Sequence, residues 1–385
     1  SKQIIYRGVF HMITISLCMI VKDEEKTLAR CLECASKFVD EIIIVDTGST
    51  DKTKEIAKSF NCKLYDFKWE DNFEKARNYS FSKASKDYIM WLDADDFIDE
   101  ENIKLLNDLK ENLDTNVDSV MMNYSLVRDA EGKTTYSLKR NRLVKRIKGY
   151  RWIGRVHEFL DVYGNIIQSD ITINHDKRKA HTNRNLLIFK KMEENKEVFT
   201  TRDLFYYSNE LYDNRLYKEA IDKYKEVLSK EDLWSEDFKR ATINLVKLLD
   251  LTGGNNDEKI ELIFNCMKKY SPNAEMLCML ADCFKFKGMY DEGIIYLKAA
   301  MNLDEDKNNI GFNNNIYSTW YPALELCVYY SIIGDLEKSY YYNELSDLYL
   351  APKYKVEYNK NYLLKEMKKK NIKPRELKKT LNFNI

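Results

Sequence analysis

The first hundred residues alternate between apolar runs and segments of helical spacing, and three of the apolar runs stop at clusters of acids. Met12 to Val21 (MITISLCMIV) reads as a buried strand running into Lys-Asp-Glu-Glu. Glu41 to Val45 is a second, ended by Asp46-Thr47-Gly48-Ser49-Thr50-Asp51. Lys63 to Phe67 is a third, and Tyr88 to Leu92 a fourth, ended by Asp93-Ala94-Asp95-Asp96. Between them, Lys26–Phe38, Lys52–Phe60 and Phe73–Ala84 carry apolar residues at helical spacing, and Thr50 or Asp51 can cap the second of these helices. This order predicts a parallel sheet with right-handed crossovers, so that the strand C-termini share one edge. Ligands of open α/β sheets bind at that edge. The acids after strands one, two and four all fall there.

Beyond Ser119 the pattern shifts to SVMMNYSLV, TTYSLKRNRLVKRI, FLDVYG and ITINH, read as strands completing the sheet. From Thr182 the chain is helical in pattern to its end and contains a repeat. Leu204–Leu228 aligns without gaps on Leu277–Met301, with Tyr217-Lys218-Glu219-Ala220 matching Tyr290-Asp291-Glu292-Gly293. The offset is close to twice the roughly 34-residue tetratricopeptide period. A third copy fits Ala323–Leu345, and Phe238–Tyr270 makes a degenerate unit between the first two. Two domains are expected: an α/β domain over 12–192 and an all-α tetratricopeptide-like domain over 193–385.

Charge narrows the function. Lys and Arg number 62, as do Asp and Glu, so no global field draws the chain to nucleic acid or an anionic membrane. Lys139–Lys148 is locally basic and either attracts an anion or forms a solvated strand face. No stretch of about 18 apolar residues is present, so no transmembrane segment is expected. Ser1–His11 lacks an apolar region and cleavage site and is not read as a signal peptide. Cys31-Leu32-Glu33-Cys34 is a lone CxxC within a helical pattern, which is not read as a zinc or redox site. The scattered cysteines suit a reducing, cytoplasmic setting. With 4 Pro and 12 Gly, a long flexible linker is not expected, and the domains should abut.

Asp93 and Asp95 close an apolar strand at the ligand edge. Two carboxylates there suit a hard divalent cation, which can bridge the oxygens of a departing diphosphate. Together, VKDEE (Val21–Glu25), IIVDTGSTDKT (Ile43–Thr53), FEKARN (Phe73–Asn78) and WLDADD (Trp91–Asp96) resemble the family-two inverting glycosyltransferases of the GT-A fold. RVHE (Arg155–Glu158), INHD (Ile173–Asp176) and NRNLLIFKKM (Asn183–Met192) are similar to a bacterial subgroup with a helical-repeat tail. That subgroup includes sublancin-type peptide S-glycosyltransferases and flagellin glycosyltransferases. The resemblance covers roughly Ile13–Met192.

The resemblance implies a UDP-sugar donor and Mn²⁺ or Mg²⁺. Asp23 or Glu24 and Asp46 would contact the nucleoside, with Arg77 and Arg184 toward the diphosphate. Asp93 and Asp95 would engage ribose and metal, and His175 would be a third ligand. Inverting transfer needs a base opposite the leaving group. The Glu-Asp pair of many relatives is missing here, so the His-Glu motif supplies the candidates, Glu158 or His157. Trp152 and Tyr150 either line an acceptor cleft or pack in the core. The implied activity is transfer of glucose or N-acetylglucosamine to a protein or peptide, with flagellin Ser/Thr as one acceptor. A bacteriocin Cys and a cell-surface glycan are the alternatives. A nucleotide-binding repeat scaffold without catalysis is the non-enzyme alternative; intact Asp93, Asp95 and Glu158 favour the enzyme. Nucleotidyl transfer usually carries a Gly-rich phosphate loop after its first strand, and VKDEE is not one. The repeats suit extended peptide or homodimerisation.

Overall fold

The computed structural model describes residues 12–128, 134–176, 183–303 and 315–374. Ser1–His11, where a signal peptide was considered, lies outside the described residues. The chain divides into two compact units after Glu197.

The first unit opens with β1 (Ile15–Val21), α1 (Leu28–Ala35), β2 (Glu41–Asp46), α2 (Thr53–Ser59), β3 (Lys63–Asp66), α3 (Phe73–Ser82) and β4 (Tyr88–Trp91). This is the expected alternation, trimmed by a residue or more at most element ends. There follow β5 (Asp96–Phe97), α4 (Glu100–Asn112), β6 (Ser119–Arg128), β7 (Thr134–Lys145), β8 (Arg151–Ile153), β9 (Phe159–Asp161), β10 (Ile166–His175) and α5 (Arg184–Glu194). The eight-stranded sheet runs β3-β2-β1-β4-β7-β6-β10-β5. β1 pairs in parallel with β2 on one side and β4 on the other. Both faces of β1 are covered: Leu17 and Met19 join the core with Leu28, Leu32 and Leu106, while Cys18 joins Ile43, Phe81, Trp91 and Trp152. Strands buried on both faces read as continuous apolar runs, which is why MITISLCMIV carries no alternation.

Two expectations need correction. FLDVYG does not extend the sheet: Phe159–Asp161 pairs with β8 in a separate two-stranded ribbon. The basic stretch Lys139–Lys148 is not uniformly a solvated face, because Arg142 is fully buried against Asp96.

The second unit is built from helix pairs: α6 (Thr201–Asp213) with α7 (Tyr217–Leu228), α8 (Ser235–Thr252) with α9 (Asn256–Lys269), α10 (Ala274–Phe286) with α11 (Tyr290–Met301), and α12 (Trp320–Ile332) with α13 (Leu336–Leu348). The helix α14 (Lys353–Lys369) follows. All four hairpins fall on the repeats read from the sequence, the degenerate one included. Among the described residues no helix is long and apolar enough to cross a membrane.

The repeat position held by Ala220 is Gly293 in the third hairpin. A Cβ there would stand 2.3 Å from Cε1 of Tyr329, whose hydroxyl donates to the carbonyl of Ala281 at 2.6 Å. Tyr329 is fully buried and cannot swing aside. Gly293→Ala gains up to about 1 kcal/mol in helix propensity but overpacks at about 1–3 kcal/mol. We predict a net loss, read as a lower urea midpoint for the helical unit; a higher midpoint would show that the Tyr329 contact yields freely.

Candidate functional site

The loops after β1 and β2 lie side by side because Val21 and Asp46 are register partners. Their polar residues knit them together. Asp46 Oδ2 accepts from the amides of Gly48 and Ser49, both at 3.0 Å. Asp23, at φ +53, donates its amide to Ser49 Oγ at 2.9 Å and accepts from the Thr50 amide at 2.7 Å. The Glu24 amide donates to Thr53 Oγ1 at 2.7 Å and that of Glu25 to Asp51 at 3.0 Å. The hydroxyls and carboxylates of the DTGSTDKT segment therefore satisfy loop amides that neither strand can pair.

These loops form one wall of a cleft of about 540 Å³, a size suited to a small organic ligand. Lys22, Asp23, Glu24 and Thr47 line it on that side. Trp69, Phe73 and Arg77 come from α3 and its approach, Asp93 and Asp95 follow β4, His175 ends β10, and Arg184 opens α5. Strand order explains the gathering. β1 separates β2 from β4, which makes the β1/β4 gap a topological switch point. β7 is antiparallel to β4 and β6, and β10 is parallel to β6, so β10 ends at the same edge as β4.

Arg77 is the principal cation in the wall. It is 8% exposed, and its Nη2 donates to Asp93 at 2.8 Å while its Nε donates to Glu158 at 2.5 Å. Its guanidinium also lies 4.7 Å from the Trp152 ring centre and 5.2 Å from that of Trp91. Burial pushes the Asp93 carboxyl up, but Arg77 and Arg142 outweigh it and hold it below its ordinary value. Arg184 lies 4.7 Å from the centre of the Phe73 ring.

Asp95, Asp96 and His175 bring three ligand atoms within 4.8 Å of one another. β5 pairs with β10 so that Asp96 faces His175, and the Asp176 amide donates to the Asp95 carbonyl at 3.0 Å. Burial drives the Asp95 carboxyl up, His175 opposes it, and Asp93, Asp96 and Glu24 reinforce it, leaving a value of about 6. Burial pulls His175 down, and the three Asp carboxylates more than reverse this. Asp95 and His175 open on the cleft; Asp96 does not, being fully buried and bonded on both oxygens.

Of the residues singled out in the sequence, Asp23, Glu24, Arg77, Asp93, Asp95, His175 and Arg184 thus line one cleft. Asp46 lies behind the wall, with Lys54 at 3.5 Å from its Oδ2. Glu158 sits on the far side of Arg77, its side chain 10% exposed, beside His157 at φ +52. Trp152 packs edge-on against Trp91 and Phe81, and Tyr150 donates its hydroxyl to the Tyr163 carbonyl, so both belong to the core beneath the cleft. Sequence reasoning missed Asp96, Tyr124, Arg142 and Trp69. The third acid of WLDADD was the one available signal; Tyr124 and Arg142 lie on strands whose pairing no local pattern discloses.

Known proteins resemble parts of this chain. Residues 16–168 match Glycosyl transferase family 2. A TPR repeat-containing protein of Synechococcus elongatus is 36% identical over 152 residues, covering 39% of this chain and 36% of that protein. The SPbeta prophage-derived glycosyltransferase SunS of Bacillus subtilis is 27% identical over 234 residues, covering 56% of this chain and 53% of SunS. The chain thus spans about a third to a half of the length of these curated relatives. Among solved structures, S. aureus TarS aligns over 78% of this chain and 96% of its own, at 12% identity and a TM-score of 0.34. The first unit thus resembles glycosyltransferase family 2 over residues 16–168, and its α/β sheet is followed by a unit of helix hairpins.

The raised Asp95 carboxyl has a consequence for stability. An unfolded Asp titrates near about 3.9, so between that value and 6 the folded state binds more protons, and stability falls as pH rises through this window. In EDTA, Asp95→Asn should therefore melt higher than wild type at pH 7.5, by up to about 3 kcal/mol. The gain should vanish at pH 4 and below. Equal melting at both pH values would mean that Asp95 ionises without penalty.

Proposed function

We propose that this chain is an inverting glycosyltransferase that moves a hexose or N-acetylhexosamine from a UDP-sugar to a protein or peptide acceptor. The observation that carries the reading is the convergence of Asp23, Glu24, Asp93, Asp95, His175, Arg77 and Arg184 on one cleft at the β1/β4 switch point. Asp23 and Glu24 would receive the nucleoside, with Asp46 shaping their wall. Arg184 would face the diphosphate, and Trp69 and Phe73 offer ring faces to base or sugar. The donor set of Asp95 carboxylate and His175 imidazole fits Mn²⁺ better than Mg²⁺, since imidazole suits transition metals. When bound, that cation would neutralise the departing diphosphate. Asp93, already tied to Arg77, would turn its remaining oxygen to ribose or cation.

In the transfer, the bond from the anomeric carbon to the diphosphate oxygen breaks with its electron pair going to UDP. The acceptor atom bonds that carbon from the opposite face and loses its proton to a base. Glu158 is the proposed base, with His157 beside it as the alternative. The helical unit would present the acceptor peptide, a flagellin Ser/Thr hydroxyl or a bacteriocin Cys thiol, and offers a surface for dimerisation.

Hydrolysis of UDP-sugars by the full chain, followed by mass, tests the donor reading. Turnover of UDP-glucose or UDP-N-acetylglucosamine should require Mn²⁺ and be lost in EDTA and in Asp95→Ala. Full turnover in EDTA would remove the cation from the mechanism.

Substitution at Glu158 tests the base. Gln keeps an oxygen for Arg77 Nε but takes no proton near neutral pH. Glu158→Gln and Glu158→Ala should both lose about 10²- to 10⁴-fold in transfer, with UDP affinity little changed. A Gln variant far more active than the Ala variant would make Glu158 a positioning residue for Arg77 and move the base to His157. With a Cys acceptor the loss should shrink as pH rises toward the free thiol value of about 8.5, whereas a hydroxyl acceptor should show no such rescue.

A further inference from the structure

Behind the cleft lies a group of buried side chains with no part in the reading so far. Arg142 is fully buried. Its guanidinium is held between the rings of Trp91 and Tyr124, 3.8 Å and 4.3 Å from their centres. Its Nη1 donates to the Trp91 carbonyl at 3.2 Å and pairs with Asp96 Oδ2 at 3.1 Å. Asp96 Oδ2 also accepts from the Asp93 amide at 3.0 Å. Asp96 Oδ1 accepts from the Tyr124 hydroxyl at 2.9 Å and lies 3.3 Å from His175 Nδ1. The Tyr124 oxygen is itself 2.9 Å from Nδ1.

Counting protons fixes the imidazole. A carboxylate paired with a buried guanidinium can only accept. The phenol has one proton and gives it to Asp96, so toward His175 its oxygen can only accept as well. Asp95 Oδ1 lies 3.5 Å from the same nitrogen, so every neighbour of Nδ1 is an acceptor, and Nδ1 must carry the hydrogen. In the neutral ring that a cation requires, Nε2 then keeps its lone pair, and it has no hydrogen-bond partner among the described residues. His175 lines the cleft beside Asp95, whereas both oxygens of Asp96 are spent inside.

We infer that Asp96, Tyr124 and Arg142 form a buried brace that orients His175 so that its Nε2 is presented to a divalent cation, with Asp96 a positioning residue and not a ligand. The inference rests on the cation-dependent reading proposed above. Strand pairing sets the brace: β5 against β10 puts Asp96 opposite His175, and β6 between β7 and β10 carries Tyr124 into the gap between Arg142 and the imidazole. An outer partner of this kind holds both ring angle and tautomer of a metal-binding His, and its loss typically weakens metal binding about 10- to 100-fold.

The test is a titration of the full chain with Mn²⁺ at saturating UDP, with free Mn²⁺ read by electron paramagnetic resonance. UDP affinity in EDTA serves as control. Tyr124→Phe keeps the ring over Arg142 and should weaken Mn²⁺ about 10-fold or more while leaving UDP affinity in EDTA unchanged. His175→Ala should weaken Mn²⁺ at least as much, and the double variant should be no weaker than His175→Ala alone, because the brace acts only through His175. Arg142→Lys, which keeps a cation beside Asp96 but loses the grip on the Trp91 carbonyl, is the second variant should Tyr124→Phe fail to fold, and it should also weaken Mn²⁺. An unchanged Mn²⁺ affinity in the folded variant, or losses that multiply fully in the double variant, would overturn the brace. Failure of the wild type to bind Mn²⁺ at all would instead strike the cation reading.

Discussion

The parallel pairing of β1 with both β2 and β4 is the constraint on which the first unit depends. A strand flanked on both edges and covered on both faces must be largely apolar, and Ile15–Val21 is apolar except for Ser16, whose buried hydroxyl donates to Glu41. Once it sits centrally, the chain has to leave it in one direction toward β2 and β3 and return on the other side as β4. Right-handed crossovers then leave an opening above the β1/β4 boundary. Everything chemical in this unit is arranged around that opening.

The opening gathers negative charge, and the structure has to balance it. Asp93, Asp95 and Asp96 lie within a few residues of one another in a largely buried setting, which costs heavily unless each carboxylate finds a partner. Asp93 has Arg77 at the cleft wall, and Asp96 has Arg142 in a fully buried pair. Among the described residues, the Asp95 carboxylate has the partly exposed His175 at 3.5 Å. Its carboxyl is driven up, to about 6, while Arg77 and Arg142 hold that of Asp93 down. Asp95 opens on the cleft, as Asp93 does, but without a guanidinium beside it. The cation proposed above would relieve that imbalance on binding.

The helical unit follows a different logic. Each hairpin buries its face only by stacking on the next, so close approaches between hairpins set its geometry. Gly293 under Tyr329 is one such approach. Charged side chains also link successive hairpins: Glu275 of α10, nearly buried, accepts from Arg240 at 3.2 Å and Lys247 at 2.6 Å, both on α8. Lys285 of α10 reaches Glu325 of α12 at 2.7 Å. These links tie successive hairpins together alongside their apolar contacts.

The sequence by itself determined the strand and helix order of the first hundred residues, since burial on two faces and helical spacing leave local periodicities that need no partner to be read. It determined the repeats for the same reason, and it placed acids after strands one, two and four. FLDVYG is the instructive failure: three residues of strand pattern do not say which strand they will pair with. What only the tertiary structure decided is the company each acid keeps. Asp96 reads locally like Asp95, yet the antiparallel pairing of β5 with β10 turns it inward to Arg142 and Tyr124. Arg142 reads as one of six cations in a basic run, yet the register of β7 sends it alone into the interior. His175 reaches Asp95 from a strand some 80 residues along the chain. Such meetings depend on strand order and register between distant segments, and no local period in the sequence encodes either.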